Sequence, residues 1–161
     1  MHLLDANAFI EASRFYYAFD LAPGYWSWLG DPKLSGTLAS IQAVKDEITS
    51  GDDALVEWAK RMPNGFWLPD TPESIAALQN AVTWANNAAR PFTQAAVDEF
   101  MASADLRLVA QATAMRATVV TRETSDPNCK RRVKLPDACD AMGVRCVQPF
   151  EAYRSLGLQL A

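Results

Sequence analysis

The chain has 161 residues, half of them apolar and 21% charged, with seven glycines and nine prolines. That balance excludes a disordered or collagen-like chain and predicts a single domain over 1–161 with a core of its own. Net charge is −4, yet residues 1–100 carry −7 and residues 101–161 carry +3, which suits an ordinary acidic surface or a cation-dependent enzyme working on a phosphate-rich substrate.

In chain order, residues 2–5 (HLLD) predict a short buried strand ending in Asp5, followed by a helix over 8–16. Residues 15–28 hold seven of the 16 aromatics, interrupted by Pro23-Gly24, and 26–29 predict a helical turn closed by Gly30. A second strand is expected over 36–39, with Ser40 capping a helix that runs through Ile48. Asp52 and Asp53 suit the N-terminus of a helix over 54–61, and 66–68 is a brief extended piece. Thr71-Pro72-Glu73 starts a helix to about Ala89, broken at Arg90-Pro91. Thr93 then starts one to Met101, and Ser103 caps another to Met115. The β-branched run 118–121 reads as a buried parallel strand. A loop over 123–135 leads to a helix from Pro136 to Met142 that Gly143 ends, then to a strand over 144–147 and a helical tail. Short apolar strands alternating with helices give a three-layer α/β fold with a mainly parallel sheet.

Several chemistries are excluded by composition. Three cysteines (Cys129, Cys139, Cys146) at irregular spacing argue against a disulfide framework and fit a reducing cytoplasm. They also lack the paired spacing of a zinc site. The one histidine, His2, lies at the chain start, so a nucleophilic triad built on it is discounted. No run approaches the roughly 20 apolar residues of a membrane span. The opening MHLLDANAFIEASR lacks the basic region of a secretory signal. The expected setting is cytoplasmic.

What remains is carboxylate. Ligands of an open parallel sheet bind beyond the carboxyl ends of its strands, where Asp5 is expected, with Asn7 on the same side. Asp5 could equally serve as a helix cap. Glu123 follows the strand 118–121, and Thr121 shares its side by the period of two. Asp105 sits inside an apolar helix face: at about 100° per residue, Val109 and Ala112 fall within roughly 40° of it, while Arg107 points away at roughly 200°. A charge on that face costs several kcal/mol unless compensated. The helix's own amides offer one compensation and a metal ion a stronger one. Glu47 flanks the buried face defined by Ile41, Val44 and Ile48, whereas Asp46 points the other way. Unit charges about 4 Å apart repel by about 4 kcal/mol at an effective dielectric near 20, so four such acids in one pocket call for a hard divalent cation. Oxygen-only ligands select Mg²⁺ or Mn²⁺, and phosphodiester hydrolysis follows without His or Ser. The run Lys130-Arg131-Arg132-Val133-Lys134 is either a solvated loop or a phosphate grip. The aromatic stretch is either core or interface, or a base-stacking surface.

Asp5-Ala6-Asn7, Glu47, Ser103-Ala104-Asp105 and Val119-Val120-Thr121-Arg122-Glu123, in that order along nearly the whole chain, resemble the PIN-domain superfamily, which includes the toxin ribonucleases of VapBC toxin–antitoxin pairs. The opening LLDANAFIEA and the closing VVTRE…RVKLPDACDAMGV are similar to a longer PIN-like branch. The resemblance implies a Mg²⁺- or Mn²⁺-dependent endoribonuclease, often homodimeric, whose antitoxin blocks the active site. It places metal-binding and catalytic roles on Asp5, Glu47, Asp105 and, where the family usually has Asp, Glu123. Asp126 is an alternative fourth acid. Asn7 and Thr121 become orienting residues, and Lys130, Arg131, Arg132 and Lys134 nucleic-acid contacts. A catalytically silent PIN-like module that binds RNA or protein is the alternative. A phosphatase or DNA nuclease using the same acids is a third reading.

Overall fold

Five short strands lie side by side, all parallel, in the order β3-β2-β1-β4-β5: β1 His2–Leu4, β2 Leu38–Ile41, β3 Trp67–Leu68, β4 Thr118–Val120 and β5 Cys146–Val147. The computed structural model describes residues 1–87, 89 and 92–160. Leu3, Leu4, Val119 and Val120 have no exposed surface, because a parallel sheet is covered on both faces. The layers are formed by α1 Ala6–Glu11, α2 Pro23–Leu29, α3 Gln42–Ile48, α4 Ala54–Arg61, α5 Pro72–Ala85, α6 Gln94–Ala102, α7 Ala104–Met115, α8 Leu135–Ala141 and α9 Pro149–Ser155. The fold is three-layer α/β/α, as the alternation of strands and helices predicts.

Order along the sheet decides where a site can form. From the central β1 the chain moves outward to β2 and β3, then returns to build β4 and β5 on the other side. The direction of winding therefore reverses between β1 and β4, whose residues Leu4 and Val120 are paired. At such a reversal the connections leave to opposite sides and open a crevice beyond the carboxyl ends of the strands.

Helix α7 runs under that crevice, packed along α5 and touching α3, α6, α8, β2 and β4. Its buried surface is wider than one apolar stripe: Leu106, Leu108, Val109, Ala110, Gln111 and Ala112 are all buried. Arg107 leaves the far side and pairs with Asp70. A second packing centre is aromatic. Phe9 on α1 sits 5.5 Å from the Trp58 ring, 5.6 Å from Trp67 and 6.3 Å from Phe66. Tyr17 stacks on Tyr25 at 4.1 Å and Phe19 on Trp26 at 4.0 Å, so most of the aromatic stretch is core. No helix among the described residues is long and apolar enough to cross a membrane.

Several expected boundaries shift for local reasons. Ser40 does not cap α3. It is the third residue of β2, fully buried, and its hydroxyl donates to the Leu4 carbonyl at 2.6 Å, tying β2 to β1. Ser103 stands at the N-cap position of α7, but its hydroxyl donates back to the Phe100 carbonyl at 2.8 Å rather than accepting from α7. The first helix starts earlier, at Ala6, and widens into π-helical turns over Ala12–Tyr16. Pro23 initiates α2 instead of interrupting the segment, since its fixed φ suits a first helical turn. Helix α5 ends at Ala85, short of the expected Ala89; the break expected at Arg90-Pro91 lies outside the described residues.

Phe9→Ala should lower stability by about 3–5 kcal/mol, the range for truncating a buried aromatic, as read by urea unfolding at neutral pH. A loss below about 1 kcal/mol would show that the cluster around Trp58 and Trp67 does not hold α1 on the sheet.

Candidate active site

Asp5 is the first residue beyond β1 and leaves the strand in extended backbone, φ −79° and ψ 171°. Its amide donates to the Val120 carbonyl at 3.2 Å, so it prolongs the pairing of β1 with β4. Both carboxylate oxygens are held: Oδ1 accepts from the Ala8 amide at 2.7 Å and Oδ2 from the Thr121 hydroxyl at 2.5 Å. Asp5 is thus a helix cap and also a buried acid, 1% exposed. Its pKa is raised to about 7, chiefly by burial, with the charges of Asp105 and Glu123 adding and the two hydrogen bonds opposing the rise.

Thr121, buried at the end of β4, connects the first strand to the last acid. While donating to Asp5, its Oγ1 accepts from the Glu123 amide at 3.1 Å. The Glu123 side chain closes the loop that follows: Oε1 meets the Arg132 guanidinium at 2.7 Å and Oε2 accepts from the Leu135 amide at 2.9 Å. Both oxygens being engaged by the loop, Glu123 acts on its neighbours as a fixed charge.

Asp105 occupies the first turn of α7, half-buried. Its pKa is raised to about 6, first by burial, then by Glu123 and Glu47, with Glu99 adding and Arg132 opposing. Glu47, in the last turn of α3, is also raised by burial. These two acids, with Asn7, Glu99, Ser103 and Arg132, line a pocket of about 160 Å³ at the carboxyl edge of the sheet. The pocket collects residues from α1, α3, α6, α7 and the loop after Glu123, which lie far apart in sequence.

The remaining candidates are placed as follows. Asp126 is exposed and builds a turn, its Oδ1 accepting from the Asn128 amide at 3.2 Å, and it does not line the pocket. Its own amide donates to the buried Asp137. In the basic run, Lys130 and Arg131 face solvent and Lys134 precedes α8. The Lys130 carbonyl accepts from the Thr93 amide at 2.8 Å, fastening the loop to the start of α6. Arg132 is the member of the run that reaches the pocket wall. His2 stands at the opposite, amino end of β1.

Glu99 and Asp137 were not among the residues singled out from sequence. Glu99 lies three residues after buried Ala96 and beside buried Phe100, the flank position that identified Glu47, so the same periodicity argument would have found it. Asp137 is the first-turn acid of α8, where capping explains it without a site.

The donors facing the pocket are oxygens, which suit a hard divalent cation rather than zinc or copper. Burial pushes each of Asp105, Glu47 and Asp5 toward its neutral form, and neighbouring carboxylates add to the shift of Asp105 and Asp5. Among the described residues no three of His, Cys, Asp and Glu stand close enough to form a ready chelate. The pocket brings Asp105, Glu47, Glu99 and Asn7 together; Asp5, buried behind it with both oxygens hydrogen-bonded, and Glu123, closed onto Arg132 and the Leu135 amide, do not line it.

Residues 2–160 match the family described as "Domain of unknown function (DUF4411)", and the chain belongs to that family. No curated protein and no solved structure matches it.

Raised carboxyl pKa values make stability depend on pH in a definite sense. Folded Asp5 and Asp105 bind protons more tightly than the unfolded chain does. Their contribution is therefore most favourable below about pH 4 and is lost as pH rises through 6 and 7. For Asp5 alone the difference is on the order of 4 kcal/mol. A divalent cation at the pocket relieves the repulsion only when the acids are charged. Thermal melts should show a larger rise in Tm on adding Mn²⁺ at pH 8 than at pH 5; an equal rise, or none, contradicts a cation at these acids.

Proposed function

For this DUF4411 chain we propose a metal-dependent endoribonuclease that hydrolyses RNA phosphodiester bonds with carboxylate-held Mg²⁺ or Mn²⁺. The observation that carries the proposal is the gathering of acids beyond the carboxyl ends of the strands where the sheet reverses: Asp105, Glu47 and Glu99 line one pocket, and the charge of Asp105 also acts on buried Asp5. The ordered resemblance to the PIN-domain superfamily supports it independently of that gathering of acids.

Each residue has a part that follows from its setting. Asp5 is oriented by the Ala8 amide and the Thr121 hydroxyl, so its carboxylate has little freedom left. Asp105 and Glu47 present negative charge to the same pocket from two different helices, and Glu99 adds to it. Asn7 carries an amide able to orient a ligand or a water. When bound, the cation supplies a water of lowered pKa and neutralises charge on the phosphate oxygens. Arg132, held by Glu123 at the pocket wall, presents a guanidinium to the anionic backbone of the substrate.

The resemblance extends the proposal to a toxin working as a homodimer under an antitoxin, in a cytoplasm whose reducing state suits the three free thiols. A second reading, a silent PIN-like module that holds RNA or protein, is favoured by two observations. Arg132 already brings a positive charge to the acids, and no ready chelate stands among the described residues.

Purified protein should cut single-stranded RNA in Mg²⁺ or Mn²⁺ and not in EDTA. Asp105→Asn should lower the rate at least about 100-fold, the scale of removing a group that stabilises the transition state electrostatically. Undiminished cleavage by that variant contradicts the assignment. RNA retained uncut by the wild type favours the silent module, and preferential cleavage of a DNA competitor favours the DNA-nuclease reading.

A further inference from the structure

The aromatic residues of the stretch 15–28 do not all enter the core. Phe15 and Tyr16 remain 73% and 45% exposed. The cause is local: the π-helical turns over Ala12–Tyr16, closed by the Tyr17 amide donating to the Ala12 carbonyl at 2.7 Å, widen the helix and turn these two rings outward. Tyr16 meets Phe150 edge-on, with ring centroids 6.2 Å apart and planes at 84°. Phe150 is itself 45% exposed at the start of α9.

A guanidinium lies against each of these two rings. Arg122 sits 4.4 Å over the centre of Tyr16 and Arg154 sits 5.9 Å from that of Phe150. Arg122 is also fixed by Glu11, Nε to Oε2 at 2.8 Å. The surface therefore carries a strip in the order Arg122, Tyr16, Phe150, Arg154. Behind it lies an open cleft of about 100 Å³ walled by Tyr16, Tyr17, Arg122, Pro149, Phe150 and Tyr153. Tyr17, Phe150 and Tyr153 also wall a second cleft that extends toward Arg154 and Leu160.

We propose that this strip and cleft bind unpaired nucleobases of single-stranded RNA. Two features select this occupant. Flat rings offer stacking faces that every base can use, and guanidinium groups at both ends of the row complement a phosphodiester chain. A purely apolar partner surface would desolvate Arg154 without a counter-charge and Arg122 with Glu11 as its partner. In a chain of net charge −4 this is a local complement to an anion. Along the chain Arg122 stands between Thr121, which holds Asp5, and Glu123, so the loop that leaves β4 carries both the strip and an acid of the site. The inference rests on the nucleic-acid part of the proposed function and does not require cleavage.

Binding is therefore measured on the full chain in EDTA, where no cutting is expected. The probes are a fluorescein-labelled oligoadenylate of about ten nucleotides and an abasic oligomer of equal length, which keeps the phosphates and lacks the bases. Tyr16→Leu and Phe150→Leu should each weaken oligoadenylate binding about tenfold, while Tyr16→Trp retains it. The abasic oligomer should bind wild type at least tenfold more weakly and be indifferent to both leucine variants. Both side chains being half exposed, circular dichroism should show the variants folded.

Equal affinity for the two oligomers overturns the inference, as does unchanged oligoadenylate affinity in both leucine variants. So does a loss of self-association in those variants at unchanged RNA affinity, which would assign the strip to a second copy of this chain. RNA bound through these rings but never cut in Mn²⁺ would overturn the nuclease and leave the base-binding strip standing.

Discussion

The arrangement depends on a carboxylate placed where a parallel sheet changes direction. Asp5 ends the central strand, is buried, and is bound to both its own helix and the neighbouring strand through Thr121. Because β1 and β4 are paired in register, the first acid of the chain and the last strand-end acid cannot separate without breaking the sheet. Helix α7 then brings Asp105 up to the same corner from below. The charges repel, and both acids are held above their ordinary pKa. Stability alone does not explain keeping three or more carboxylates here, since neutral isosteres would remove the repulsion. The proposed function accounts for them by a ligand of opposite charge.

How much of this was legible in the sequence differs from residue to residue. Asp105 was legible because an acid within an apolar helical face contradicts the pattern around it. Asp5 was legible as a strand-end acid, but its second identity as a helix cap could not be separated from the first, and the structure shows that it is both. Ser40 misled because a serine ahead of a helical pattern resembles a cap. It instead lies within a buried strand, and its hydroxyl reaches the Leu4 carbonyl, a contact between residues 36 apart that no local pattern encodes. The four cations of 130–134 look alike in sequence. Only the tertiary path of the loop, fastened by Thr93, Leu135 and Glu123, turns Arg132 to the pocket and leaves Lys130 and Arg131 in solvent.

That loop gives Glu123 a different character from the other acids. With one oxygen on Arg132 and the other on the Leu135 amide, it acts as a clasp that sets the height of the pocket wall and brings a positive charge to it. The extra methylene relative to aspartate is what allows a residue two positions beyond Thr121 to reach the start of α8. Arg132 and a divalent ion are thus alternative or joint answers to the same accumulation of charge. The distinction matters, because a guanidinium neutralises the acids without supplying a reactive water.

A crystal structure of the protein soaked in Mn²⁺, with anomalous scattering recorded, separates these answers directly. The account predicts an anomalous peak in the pocket about 2 Å from carboxylate oxygens of Asp105 and at least one of Asp5 and Glu47. An empty pocket at saturating Mn²⁺, with Arg132 as the only cation among the acids, would contradict it.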